Sequence, residues 1–310
     1  MLRLNALSAA TESALADVRL PVDEVRRVVE TALAEDLAHG PDVTTEAIIP
    51  GDATAYAAIS AREPGVVAGV PIALAVFDAV LGAGEYRLVD RAQDGAEVDA
   101  GADVLVLRGP VRRLLTAERT ALNLLCHLSG IATATARWVD ELAGTGTQVR
   151  DSRKTLPGLR VLAKYAVRQG GGTNHRMALG DAVLIKDNHV AAAGSVSAAI
   201  TAVREHAPHL PWQVEVDTLA QLDEALAAGA PEIMLDNFTT ADCGRAVARV
   251  RATGRRVRLE ASGGIGLDVA RTYAETGVDF LAVGGLTHSV PALDLGLDLR
   301  TGNGGTSHGC

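Results

Sequence analysis

Between Arg150 and His189 the chain places eight lysines or arginines, at 150, 153, 154, 160, 164, 168, 176 and 186, against aspartates at 151, 181 and 187. That is a local net charge of +5 in a chain of net charge −9, which leaves −14 for the remaining residues. A cationic island in an acidic protein selects small, highly charged anions, and the overall sign argues against a nucleic-acid partner. Within the island, Arg153-Lys154, His175-Arg176 and Lys186 offer five cationic or hydrogen-bonding groups. The planar fork of arginine matches a carboxylate bidentately, whereas lysine is a point charge suited to phosphate oxygens. One ligand with two carboxylates and another with several phosphates would use all five. Arg160, Lys164 and Arg168, spaced by four, read instead as the solvated face of a helix. A lone histidine is more often structural than functional, and the protonation of His175 is not legible in sequence.

Two acids and two glycine pairs add to this set. Glu215 in QVEVD and Asp236 in EIMLDN end adjacent apolar runs, where an unpartnered carboxylate would be costly to bury. They suit Mg²⁺ shared with hydroxyl or phosphate oxygens of a substrate; the alternative is a pair of buried salt bridges. Ser262-Gly263-Gly264 and Gly284-Gly285 close the last two runs. Main-chain N–H groups in glycine-rich loops cradle phosphate, although ordinary turns use the same pairs.

The elements that must position these residues change character along the chain. Val22, Val25, Val28, Val29, Ala32 and Leu33 follow a 3.6-residue period and predict a helix from 21 to about 39. From about Ala55 to Val111 short β-like runs (YAAISA, GVVAGV, YRLVD, DVLVLRG) alternate with Gly and Asp, as in a small α+β domain. Residues 113 to 141 read as a long helix interrupted at Ser129-Gly130. From 147 onward, six short apolar runs (148–151, 182–187, 213–217, 232–237, 257–264, 279–285) alternate with helical segments. This is the rhythm of parallel strands with crossover helices, and every run ends in the residues named above. A (β/α) barrel brings all its C-terminal strand ends to one face, whereas an open doubly wound sheet gathers only those near its switch point.

With 310 residues, 48% of them apolar, the chain can bury a large core, and no uninterrupted apolar stretch reaches membrane-spanning length. The first twenty residues carry two acids and no continuous apolar region, so they fit neither a secretory nor a transit signal, and a cytoplasmic enzyme with no membrane partner is expected. Cys126, Cys243 and Cys310 lie far apart, which argues against a disulfide framework and a zinc site. The Gly/Ser-rich tail 301–310 is expected to be disordered.

The segment RDSRKTLPGLRVLAKYAVRQGGGTNHRMALGDAVLIKDNHV (150–190) closely resembles the core of quinolinate phosphoribosyltransferases, also called carboxylating nicotinate-nucleotide pyrophosphorylases. The likeness extends through 35–45, 62–69, 117–133, 214–222, 233–238, 259–265 and 276–289, departing slightly at EDLAHGPDVTT. It implies an α/β fold with an N-terminal α+β open sandwich domain followed by an incomplete (β/α) barrel. The domains expected are 20–125, joined by 289–300, and 126–288. It also implies a homodimer, alone or as the unit of a larger assembly, with Arg119 completing the neighbouring site. By motif, Arg119, Arg153, His175 and Arg176 resemble the quinolinate pocket, and Lys154 and Lys186 the residues facing phosphoribosyl pyrophosphate (PRPP) and, in part, quinolinate. Glu215 and Asp236 match the acidic pair around Mg²⁺ and the ribose hydroxyls. Ser262, Gly263, Gly264, Gly284, Gly285 and His288 match the 5′-phosphate loops.

The implied reaction joins the pyridine nitrogen of quinolinate to the anomeric carbon of PRPP and releases pyrophosphate and CO₂. It yields nicotinate mononucleotide for de novo NAD biosynthesis, with Lys154, Glu215 and Asp236 as the catalytic groups. Competing readings are a phosphoribosyltransferase for another ring acid such as nicotinate, a related molybdenum-locus pyrophosphorylase-like protein, and an inactive phosphosugar-binding scaffold. A monoacid needs fewer cations, and a scaffold expects losses among Lys154, Glu215 and Asp236, none of which is lost.

Overall fold

A computed structural model describes residues 5–300. Cys310 and the tail expected to be disordered lie outside the described residues. The described residues divide into two compact units, one comprising 5–134, 156–171 and 289–300, the other 135–155 and 172–288. The segment 156–171, expected within the barrel, therefore groups with the N-terminal unit.

In chain order the first elements are α1 (Ala9–Asp17), α2 (Val22–Asp36), α3 (Val43–Ile48), β1 (Thr54–Ala61), β2 (Gly65–Val66), α4 (Val70–Leu81), β3 (Arg87–Arg91), β4 (Glu97–Val98), β5 (Asp103–Pro110) and α5 (Val111–Glu141). β6 (Gln148–Arg150), α6 (Arg160–Gln169), β7 (Val183–Ile185), α7 (Asp187–Ala193), α8 (Val196–His206), β8 (Trp212–Val216), α9 (Leu219–Ala227) and β9 (Glu232–Asp236) follow. The last are α10 (Thr240–Ala252), β10 (Arg258–Ser262), α11 (Leu267–Ala274), β11 (Phe280–Ala282), a 3₁₀ turn at Gly284–Thr287 and β12 (Leu295–Arg300).

The first unit is built on an antiparallel sheet ordered β12-β1-β5-β3. Only the start of the run GVVAGV is strand, because the chain turns at Gly69 (φ 112°) into α4. Every residue of α4 is buried, so the helix shows no amphipathic period and sequence periodicity could not find it. Its first N–H groups are capped from outside: Asp94 Oδ1 accepts from the main-chain N–H of Gly69 and Val70, both at 3.1 Å. The Tyr165 hydroxyl donates to Asp94 Oδ2. Burial pushes both of these groups above their ordinary pKa values.

The expected break in α5 does not occur. Ser129 Oγ instead accepts from the Ala68 N–H at 3.0 Å, and a Cβ at Gly130 would lie 2.2 Å from the Pro291 carbonyl oxygen. Gly130 thus permits a close backbone approach, and no bend is needed. Lys164, expected on a solvated face, is fully buried.

In the second unit all six expected runs form strands, and their order is β6-β11-β10-β9-β8-β7, parallel throughout. Five consecutive strands lie side by side without a reversal of order, which is the winding of a barrel rather than of a doubly wound sheet. β6 and β7 are not paired, so the barrel is incomplete; Thr173 bridges to Arg150 of β6 at that edge. No helix among the described residues is long and apolar enough to cross a membrane.

Candidate active site

Because the six strands are parallel, their C-terminal ends share one rim, and the chemistry-bearing residues lie there. Arg153 and Lys154 follow β6, Lys186 follows β7 and Glu215 lies near the end of β8. Asp236 ends β9, Ser262 ends β10, and Gly284 follows β11. Asp236 and Ser262 are register partners.

His175 and Arg176 are not on a strand, and Asp151 places them. Its fully buried carboxylate accepts from Asn174 Nδ2 at 2.6 Å and from the His175 N–H at 2.8 Å. Arg176 Nη1 donates to the Ala182 carbonyl at 3.0 Å. Among the described residues, Arg153 Nε and Arg176 Nε are buried without a hydrogen-bond partner, and neither guanidinium forms a salt bridge. Burial, and then the neighbouring Arg153 charge, hold the Arg176 pKa below the usual arginine value, partly countered by Asp181. Two neighbouring guanidiniums, each with a buried and unpaired Nε, can receive an anion.

Lys186 Nζ lies 2.8 Å from Glu215 Oε2, in an ion pair whose lysine is half exposed. Asp236 Oδ2 accepts from Asn237 Nδ2 at 2.8 Å. Asn237 has a left-handed backbone (φ 54°), and Gly263 (φ 108°) lies against it so closely that a Cβ there would be 2.2 Å from Asn237 Oδ1. The other carboxylate oxygens of Glu215 and Asp236 make no hydrogen bond among the described residues. No cluster of three metal-ligating side chains exists among those residues. Two carboxylates with one uncommitted oxygen each nonetheless fit Mg²⁺, which binds one or two carboxylates and completes its shell with water and substrate phosphate.

Lys154 is exposed and lies over the glycine loop, where a Cβ at Gly284 would be 3.0 Å from its Cδ. His288 is also exposed, just after the 3₁₀ turn. Arg119 belongs to α5 in the first unit, with a side chain 63% exposed and 4.0 Å from Glu118.

Sequence reasoning missed the support beneath the rim. Arg150 Nη1 donates to Glu232 Oε1 at 2.5 Å and to Glu260 Oε2 at 2.7 Å, and its guanidinium stacks on Phe280 at 3.4 Å. Gln213 Nε2 donates to Glu260 Oε2 at 3.1 Å, and Gln213 Oε1 lies 2.8 Å from His175 Nε2. The available signal was pairs of polar residues on one face of apolar runs, at 213 and 215, 232 and 236, and 260 and 262.

Cys126 and Cys243 are free thiols, both raised by burial, Cys243 to about 11. Neither has the lowered pKa of a reactive cysteine.

Two family models cover most of the chain: the quinolinate phosphoribosyl transferase N-terminal domain over residues 42–129 and the C-terminal domain over residues 131–298. The carboxylating nicotinate-nucleotide pyrophosphorylase of Mycobacterium leprae is 54% identical over 277 residues, covering 89% of this chain and 98% of that protein. Its counterpart in Rattus norvegicus is 37% identical, covering 90% of this chain and 92% of its own length. The solved nicotinate-nucleotide pyrophosphorylase of Francisella tularensis superimposes with a TM-score of 0.85 at 40% identity, over 91% of this chain and 98% of that one. The rim of charged strand ends, the incomplete barrel and these full-length likenesses agree: the chain belongs to the quinolinate phosphoribosyltransferase family.

Proposed function

We infer that this chain transfers phosphoribosyl from PRPP to quinolinate with decarboxylation, giving nicotinate mononucleotide, pyrophosphate and CO₂ for de novo NAD biosynthesis. The observation that carries the reading is the Arg153–Arg176 pair, whose buried unpaired donors suit a ligand bearing two carboxylates. Arg153 and Arg176 hold the ring acid, with His175 beside them and Arg119 supplied by the neighbouring subunit of a homodimer. Lys154 and Lys186 face the phosphates of PRPP. Ser262, Gly263, Gly264, Gly284, Gly285 and His288 receive the 5′-phosphate. The enzyme works in the cytoplasm.

The pyridine nitrogen attacks the anomeric carbon as pyrophosphate departs, and positive charge develops on the sugar ring. Glu215 and Asp236 stabilise that charge and would hold Mg²⁺. Held by these two acids, Mg²⁺ would supply positive charge to offset that of the departing pyrophosphate. Lys154 neutralises the leaving group. The ring nitrogen is then cationic, so the electron pair left at C2 by loss of CO₂ is stabilised within the ring before a proton replaces it. No protein nucleophile is required; positioning and preorganised charge supply the acceleration.

The test is direct. Purified protein with quinolinate, PRPP and Mg²⁺ should form nicotinate mononucleotide and release CO₂ in equal amounts. Absence of product with active, folded protein would overturn the reading.

A further inference from the structure

We propose that Gln213 is a positioning residue that fixes His175 as the neutral imidazole carrying its proton on Nε2. His175 in this form braces the main chain of Arg176 and offers no ring nitrogen to the substrate. The proposal rests on the reading of Arg176 as a holder of the ring acid and goes beyond it.

In the barrel interior the donor and acceptor roles are fixed by Glu260 and Arg150. Glu260 is fully buried, and its Oε2 takes a hydrogen bond from Arg150 Nη1 at 2.7 Å. A carboxylate beside a guanidinium is ionised and can only accept. The group of Gln213 that faces Glu260 Oε2 at 3.1 Å must then be its NH₂, because a carbonyl oxygen there would repel the carboxylate. The opposite end of the same amide, Oε1, faces His175 Nε2 at 2.8 Å and can only accept, so Nε2 bears a hydrogen.

The other ring nitrogen is constrained from the opposite side. The main-chain N–H of Arg176 points at His175 Nδ1 over 2.8 Å. An amide N–H can only donate, so Nδ1 must present its lone pair; a proton there would set two hydrogens against each other. One nitrogen donating and one accepting is the neutral Nε2–H tautomer.

The charged groups around the ring favour the same state. Arg176 is next in the chain, and Arg153 already repels it. Asp151 and Glu260 are the acids hydrogen-bonded to His175 or to its partner Gln213. Asp151 is engaged by the His175 N–H and by Asn174, and Glu260 by Arg150 and Gln213. A second proton on His175 would therefore break the bond to the Arg176 N–H and add a third cation to the pair. His175 thus links a rigid, buried ion pair to the residue that must hold a carboxylate.

The test uses the full-length protein labelled with ¹⁵N-histidine. Two-bond ¹H–¹⁵N correlation spectra are recorded at neutral pH, the His175 signals being identified by their loss in His175→Asn. The wild type should show the Nε2–H pattern; an Nδ1–H or imidazolium pattern overturns the proposal, whatever the activity assay gives. Gln213→Met, which keeps the shape and removes both the donor and the acceptor, should mix the tautomers. It should also weaken quinolinate binding by up to about tenfold, because Arg176 must then be ordered on binding, with PRPP binding unchanged. A changed tautomer with unchanged quinolinate affinity would overturn the positioning role. If wild-type protein binds no quinolinate while His175 shows the Nε2–H pattern, the substrate assignment fails and the tautomer stands. Should Gln213→Met not fold, the wild-type spectrum alone decides the tautomer, and Gln213→Asn, whose amide is drawn back from His175 Nε2 by one methylene, replaces it in the binding assay, where unchanged quinolinate affinity overturns the positioning role.

Discussion

Arg153 and Arg176 stand close enough to repel one another, yet neither forms a salt bridge among the described residues, and each keeps a buried Nε without a partner. An enzyme site gains specificity from such groups because a ligand that leaves them unpaired forfeits binding in the transition state. Nicotinate, which lacks the carboxylate next to the ring nitrogen, should be used roughly 10⁴-fold less efficiently than quinolinate, compared by kcat/KM. Comparable turnover of the two acids would sink the assignment of this pair.

The carboxylates Glu215 and Asp236 lie on neighbouring strands of a parallel sheet, the Glu215 side chain only 9% exposed and Asp236 half-buried. Glu215→Gln and Asp236→Asn keep shape and remove charge. Each should lower kcat by about 10² or more, the scale expected for one electrostatic group at developing charge, while thermal stability changes little. Near-normal kcat in either variant would mark that acid as structural.

Assembly can be tested by complementation. Arg119→Ala and Lys154→Ala should each be inactive. After mixing under mild dissociating conditions and random reassociation, about half the dimers are mixed, and each contains one site with both residues intact, so about a quarter of all sites recover. If Arg119 serves its own chain, mixed dimers form and no activity returns.

Stability should respond to pH through His127. Its ring is largely buried in the first unit, Nε2 has no hydrogen-bond partner among the described residues, and burial holds its pKa below the ordinary histidine value. The unfolded chain therefore takes up a proton at higher pH than the folded one. The sign follows: stability is full above the unfolded value of about 6.5 and declines as pH falls toward the depressed folded value. His127→Gln should flatten the fall in melting temperature between about pH 7 and 5. An unchanged slope would show that other groups dominate acid unfolding.

Much of this protein was legible in its sequence because strand ends announce themselves. Asp236, Ser262 and Gly284 interrupt apolar runs with residues that packing alone would not select, and the alternation of runs and helices implied parallel strands with crossover helices. The periodicity that revealed α2 could not reveal α4, whose every face is buried. It also placed Lys164 on a solvated face, since spacing reports the pitch of a helix and not what covers it. The partners of Arg150 are 82 and 110 residues away in sequence, and Gln213 meets His175 across 38. Such pairings follow from the register of parallel strands and have no local signature. Which residues could do chemistry was therefore decided by residue type and position along the chain. The protonation form of His175, the support beneath Arg176 and the closeness of Arg153 to it were decided only when the barrel brought distant side chains into a low-dielectric interior, where each polar group must find a partner.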